Sequence, residues 1–116
     1  MITGIGTDIV ELSRIKKLYK KYGETFLEKV LSDEEIALLP KGDPVAFIAG
    51  RFAAREALVK ALGAKDFNFP HIIIKNDSDG RPYFEAPEEL APATTLHLSI
   101  SHERHYATAV VVAEKR

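Results

Sequence analysis

A few charged residues stand where an ordinary solvated surface would not put them. Asp8 lies in GIGTDIV, and Arg51, Arg55, Glu56 and Lys60 lie in GRFAAREALVKALG, residues 50–63. Glu56 and Lys60 are four apart in the favourable order, a pair worth ~0.2–0.5 kcal/mol on any surface helix. At 100° per residue, Phe47, Ile48, Phe52, Leu58, Val59 and Leu62 cover one broad arc that also contains Arg51 and Arg55. Glu56 and Lys60 share the far side with Ala53, Ala54, Ala57 and Ala61. A helix with no wide polar face is buried in a core or at a subunit contact, and its alanines predict close approach by other backbone. In that setting Glu56 needs a cation, either Lys60 or a metal ion. A Mg²⁺ site takes only one or two protein carboxylates, the rest of the octahedron being water and substrate phosphate. Asp8, at a strand-to-helix junction near the positive end of a helix dipole, is the second candidate ligand, and equally a plain N-cap.

SISHERHYA, residues 99–107, is the third chemistry-bearing stretch. Ser99 and Ser101 share a face, and His102, Glu103, Arg104 and His105 crowd a bend. They form either a phosphate-binding strand end or a solvated turn. No nucleophile elbow surrounds the serines. His102 and His105 in a loop are a weak zinc signal. GIG lacks both the third glycine of a dinucleotide fingerprint and the Gly-Lys of a P-loop.

These residues need a frame. ITGIG reads as a short strand. Asp8 with Glu11 has capping-box spacing, and Ile9, Leu12, Ile15, Leu18, Tyr19 and Tyr22 follow helical spacing to a stop at Gly23. A helical turn is expected over residues 26–31. A second capping box, Ser32 with Glu35, opens a short helix ending at Pro40. KGDP is a loop, and residues 45–62 form the central helix with Gly63 as its stop. HIIIK and RPYFEA flank the turn DSDG as paired strands, and PEELAPA is a proline-bounded connection. TLHLSIS alternates, Leu96, Leu98 and Ile100 against His97, Ser99 and Ser101, and TAVVVA is a buried strand. The class is α+β: one largely antiparallel sheet with helices packed on one face.

The 116 residues read as one domain, 1–116. By surface scaling such a chain still exposes roughly a third of its unfolded surface. A hydrophobic share of 46% with 28% charged residues is globular, and no segment approaches a membrane span. MITGIGTDIV has no basic stretch before an apolar run and reads as a strand, not a signal peptide. The absence of cysteine fits a reducing cytoplasm, and a net charge of −1 argues against general nucleic-acid binding.

Taken together and in order, GIGTDIVELSRI, GRFAAREALVKALG, DGRPYF and LHLSISHERHYATAVVV resemble the small bacterial 4′-phosphopantetheinyl transferases, the holo-[acyl carrier protein] synthases, over nearly the whole chain. The resemblance implies transfer of phosphopantetheine from coenzyme A to a serine of apo-acyl carrier protein, with release of 3′,5′-ADP, in support of fatty acid biosynthesis. Asp8 and Glu56 match the family's Mg²⁺ ligands, and Lys60 a lysine near the coenzyme pyrophosphate. Arg51 matches a nucleotide-phosphate contact, His102 a residue near the 3′-phosphate, and Arg14 a residue that docks the acidic carrier. Asp8, Glu56 and Lys60 are thus the implied catalytic group, and Glu56, directly or through a metal-bound water, the implied base. Lys17 and Lys21, one helical turn apart after Arg14, extend the docking surface. The family further implies a homotrimer with sites at subunit contacts, which would explain the alanine face. Glu103 departs from the small or hydroxyl residue common at its position. Competing readings are a metal-dependent phosphohydrolase or nuclease using Asp8, Glu56 and Lys60, and a non-catalytic oligomeric binding module. Arg55 is expected at a protomer contact or in a structural ion pair.

Overall fold

The computed structural model describes residues 1–63 and 67–116. The elements run β1 (Ile2–Glu11), α1 (Leu12–Tyr22), α2 (Glu24–Val30), α3 (Asp33–Ala37), α4 (Val45–Leu62), a 3₁₀ turn (Phe69–His71), β2 (Ile74–Asn76), β3 (Pro82–Phe84), α5 (Pro87–Leu90), β4 (Thr94–His102) and β5 (Tyr106–Lys115). The α+β class holds, with every pairing antiparallel, but the strands form two sheets, β1-β5-β4 and β2-β3. One face of the larger sheet carries α4. Ala107, Ala109, Val111 and Ala113 of β5 are buried beneath it, with Leu96, Leu98 and Ile100 of β4 partly buried alongside. No helix among the described residues is long and apolar enough to cross a membrane.

The largest departure from expectation concerns Asp8. β1 continues through Glu11, so Asp8 lies inside a strand and α1 begins at Leu12 with Glu11 as an N-cap that makes no side-chain bond. The stretch 5–11 satisfies both periods at once. Ile9, Leu12 and Ile15 fit a helix, while Ile5, Thr7 and Ile9 alternate with Gly6, Asp8 and Val10 as in a strand. Pairing decides: Asp8↔Ala109, Val10↔Ala107 and Glu11↔Tyr106 satisfy this backbone against β5. The 71–75 run is also shorter as a strand than its β-branched residues suggest. Pro70 belongs to a 3₁₀ turn, and regular pairing starts only at Ile74.

Close approach of β1 to α4 explains both the glycines and the alanines. A Cβ on Gly4 would fall 1.9 Å from the Ala61 carbonyl oxygen, and one on Gly6 would fall 1.9 Å from that of Ala57. GIG is therefore a place where a helix backbone lies directly on a strand. The alanine face of α4 needs no partner subunit, because Ala53, Ala57 and Ala61 are covered by this chain's own sheet. Gly63 ends α4 as expected, left-handed at φ 67° with its N–H bonded to the Val59 carbonyl.

Arg55 is fully buried and structural. Its guanidinium pairs with buried Glu35 and also donates to the carbonyls of Phe69 and Ile72. Glu35 in turn closes the expected capping box with Ser32. One ion pair thus ties α3, α4 and the 3₁₀ turn together, and removing either partner of such a pair costs about 3–5 kcal/mol.

Candidate active site

The sheet and α4 run in opposite directions where they touch, Gly4 over Ala61 and then Gly6 over Ala57. Asp8, two residues further on the same strand face, comes next along α4. Helical side chains lean toward the helix N-terminus. Lys60 accordingly reaches back along the helix to Asp8, its Nζ 3.2 Å from Oδ1, and donates to the Thr7 carbonyl at 2.9 Å. β1 is an edge strand, so Lys60 also satisfies backbone that no neighbouring strand covers. Asp8 is the more enclosed partner, 16% exposed against 54% for the lysine.

Glu56 sits one helical turn before Lys60 and is partly buried. Burial and the Asp8 carboxylate push its carboxyl above the usual range, and Lys60 and Arg14 pull it partly back. These four groups therefore share one electrostatic neighbourhood, with Arg14 brought in from exposed positions on α1. Lys17 and Lys21 are exposed on the same helix. Among the described residues Glu56 accepts no hydrogen bond, and Lys60 takes only one oxygen of Asp8. Two carboxylates within electrostatic reach of each other, each with an unclaimed oxygen, are the donor set a hard cation takes, with substrate phosphate and water as further ligands. Asp8 and Glu56 fit a divalent metal on that ground. A recess of about 420 Å³ beside this group is lined by Asp8, Lys60, Ser99, Ser101 and Thr108.

Arg51 and His102 lie elsewhere. Arg51 stacks 4.7 Å over the Phe47 ring, donates to the Asn76 side chain at 2.7 Å and approaches Glu35 at 3.4 Å. Burial pulls its guanidinium below the ordinary value, and Glu35 offsets part of that. His102 is exposed at the end of β4, in register with Ala107. Since β5 separates β1 from β4, Asp8 and His102 occupy opposite edges of one sheet, roughly 10 Å apart by strand spacing. Among the described residues no hydrogen bond or ion pair joins Arg51 or His102 to the Asp8–Lys60 pair. Sequence reasoning missed Glu35 as the buried counter-ion of Arg51 and Arg55. Its capping-box spacing was visible, but nothing in the spacing shows a neighbour twenty residues away.

The model of the 4′-phosphopantetheinyl transferase superfamily matches residues 4–111. A holo-[acyl-carrier-protein] synthase of Chlorobium chlorochromatii is 50% identical, the alignment covering 95% of this chain and 98% of that protein. One of Maridesulfovibrio salexigens is 44% identical over 99% and 100%. Among solved structures, a holo-(acyl-carrier-protein) synthase from Bacillus anthracis in complex with CoA (3′,5′-ADP) superposes with a TM-score of 0.87 at 39% identity, covering 100% of this chain and 99% of the other. That from Neisseria meningitidis gives 0.88 at 42% identity, covering 99% and 100%. With its sequence matched over nearly its whole length and its fold superposed on theirs, the chain belongs to the holo-[acyl-carrier-protein] synthase family of 4′-phosphopantetheinyl transferases.

Proposed function

We propose that this chain transfers the 4′-phosphopantetheine group of coenzyme A to a serine hydroxyl of an apo-acyl carrier protein. The observation that carries this reading is the Asp8–Glu56–Lys60 group, gathered at one sheet edge in a chain of this family. The serine oxygen attacks the phosphorus that bears the pantetheine arm, the P–O bond to the second phosphate breaks, and 3′,5′-ADP leaves. Glu56 takes the serine proton, directly or through a water, and its raised affinity for protons favours that role. Lys60 offsets charge growing on the leaving phosphate, an electrostatic contribution that dominates phosphoryl transfer. Asp8 and Glu56 would hold Mg²⁺, which when bound supplies charge neutralisation at the pyrophosphate.

Coenzyme A is bound by Lys60 together with Arg51 and His102. Arg14, Lys17 and Lys21 form the landing surface for an acidic carrier, and this surface lies on the side of Glu56 from which the Arg14 charge acts on its carboxyl. A homotrimer whose sites lie between subunits accounts for the separation of Arg51 and His102 from Asp8. It also gives a use to the outer sheet face, where Ile5 is 61% and Ile9 64% exposed. The chain then works as one unit of residues 1–116 in the cytoplasm, and holo-carrier feeds fatty acid biosynthesis.

Intact-mass spectrometry of apo-acyl carrier protein with coenzyme A, Mg²⁺ and this chain tests the proposal. The carrier should gain one phosphopantetheine, ~340 Da by covalent formula, in a metal-dependent way. Glu56→Ala should abolish the gain, and Arg14→Glu should raise the KM for carrier while coenzyme A affinity stays put. No gain from the folded wild type with a cognate carrier would return the chain to the phosphohydrolase or binding-module readings.

A further inference from the structure

The β4–β5 hairpin is closed by a carboxylate that the proposed reaction does not use. Glu103 Oε1 accepts the backbone N–H of His105 at 2.8 Å and that of Tyr106 at 2.9 Å. Its own N–H donates to the Tyr106 carbonyl at 2.9 Å. The same turn is tied to the rest of the chain by the Leu12 N–H, which donates to the His105 carbonyl at 2.9 Å. Two amides at an exposed hairpin tip would otherwise bond to water, leaving the tip free to sample several backbone states. The amide bonds hold the Glu103 carboxyl below its ordinary range, so it is ionised at neutral pH. His102 occupies the last paired position before this turn, and the adjoining recess of about 490 Å³ is of mixed charge, lined by Arg104, His105 and Lys16 together with Glu11 and Asp43.

An acidic side chain immediately after a phosphate-binding histidine would ordinarily repel the phosphate. Here one oxygen of that carboxylate, Oε1, is taken up by two amides of its own loop. We infer that Glu103 is a positioning residue: its carboxylate clamps the β4–β5 turn and so fixes the position of His102, which the proposed function sets against the phosphates of coenzyme A. This deepens the proposed function and rests on it. Among the described residues the Glu103 side chain bonds only to the backbone of its own turn, and because it is exposed its removal leaves the core intact.

The test compares wild type, Glu103→Ala and Glu103→Gln by steady-state transfer, by calorimetric titration with coenzyme A alone, and by thermal unfolding. Glu103→Ala should raise both the KM and the Kd for coenzyme A about fivefold to tenfold with kcat within about twofold, the scale of one or two lost hydrogen bonds. Glu103→Gln retains an oxygen able to accept both amides and should recover to within about twofold of wild type. Melting temperatures should agree within a few degrees, since surface changes of this kind move stability little. An unchanged or lowered KM and Kd in Glu103→Ala would overturn the inference, a fall meaning that the residue merely repels phosphate. Failure of Glu103→Gln to recover would overturn it as well, by making charge rather than the clamp responsible. A wild type that transfers alongside an unaffected Glu103→Ala sinks this inference alone, whereas a wild type that neither transfers nor binds coenzyme A sinks the proposed function with it.

Discussion

Burial and the Asp8 carboxylate both disfavour a charged Glu56, and Lys60 and Arg14 compensate only in part. A carboxyl whose folded pKa is raised destabilises the fold as pH climbs from the ordinary value through the raised one, and costs nothing below the ordinary value. Glu56→Gln should therefore raise the melting temperature in metal-free buffer at neutral pH. The gain should be about 1–3 °C, small because the side chain is only partly buried. It should vanish below about pH 4, where the wild-type group is protonated in both states. Mg²⁺ should raise the melting temperature of wild type, because a ligand bound only by the folded state stabilises it by mass action, and should leave Glu56→Gln unmoved. Scanning calorimetry with and without chelator reads all three effects, and a variant less stable than wild type without metal would refute the assignment of Glu56 as a strained site carboxylate. Arg55 and Glu35 show the opposite economy. Their charges are far more removed from water than that of Glu56 but are fully paired, so they serve the fold, not the reaction.

At the scale of elements, the site depends on how closely β1 lies on α4. The two glycines permit strand-on-helix contact at backbone distance, and that contact places Asp8 within reach of a lysine leaning down the helix. Gly6→Ala has no room: its Cβ would fall 1.9 Å from the Ala57 oxygen and 2.7 Å from the Ala61 nitrogen, both backbone atoms that cannot swing aside. The strand must lift off the helix, at a cost of ~1–3 kcal/mol or more. Urea unfolding should show that loss, and transfer activity should fall further than stability, because the Asp8–Lys60 separation widens in the molecules that remain folded. A Gly6→Ala variant of wild-type stability would mean that β1 does not sit as closely as described.

For the whole molecule, the question is whether one chain holds a complete site. Asp8 and Lys60 lie on one edge of the sheet, His102 on the other, and Arg51 is anchored on Glu35 and Asn76. If a neighbouring protomer supplies Arg51 to the site that holds Asp8, two inactive variants can rescue each other. Co-expressed Asp8→Ala and Arg51→Ala chains, assembling at random in a closed ring, should leave about a quarter of the sites intact and recover about a quarter of wild-type activity. A site formed within one chain predicts no recovery at all. The outer sheet face is open to such assembly, with exposed Ile5 opposite Val112 and exposed Ile9 opposite Thr108 across the β1–β5 ladder.

Local signals were sufficient for α4, because a proline-free run of eighteen residues rich in good helix formers lies between the 41–44 loop and a left-handed glycine stop. The Ser32–Glu35 capping box and the alternation of β4 were equally local, and both stand in the structure. Where two periods fit the same residues, as over 5–11, only pairing with β5 decided, and it moved Asp8 from a helix cap into a strand. The charges in α4 show the same division. Their types and spacing marked Arg51, Arg55, Glu56 and Lys60 as out of place among apolar neighbours. Which one faces a buried counter-ion and which faces Asp8 is set by chain segments tens of residues away. Residue type and periodicity act within a few residues. The pairing of charges and the approach of a strand to a helix exist only once distant segments have packed.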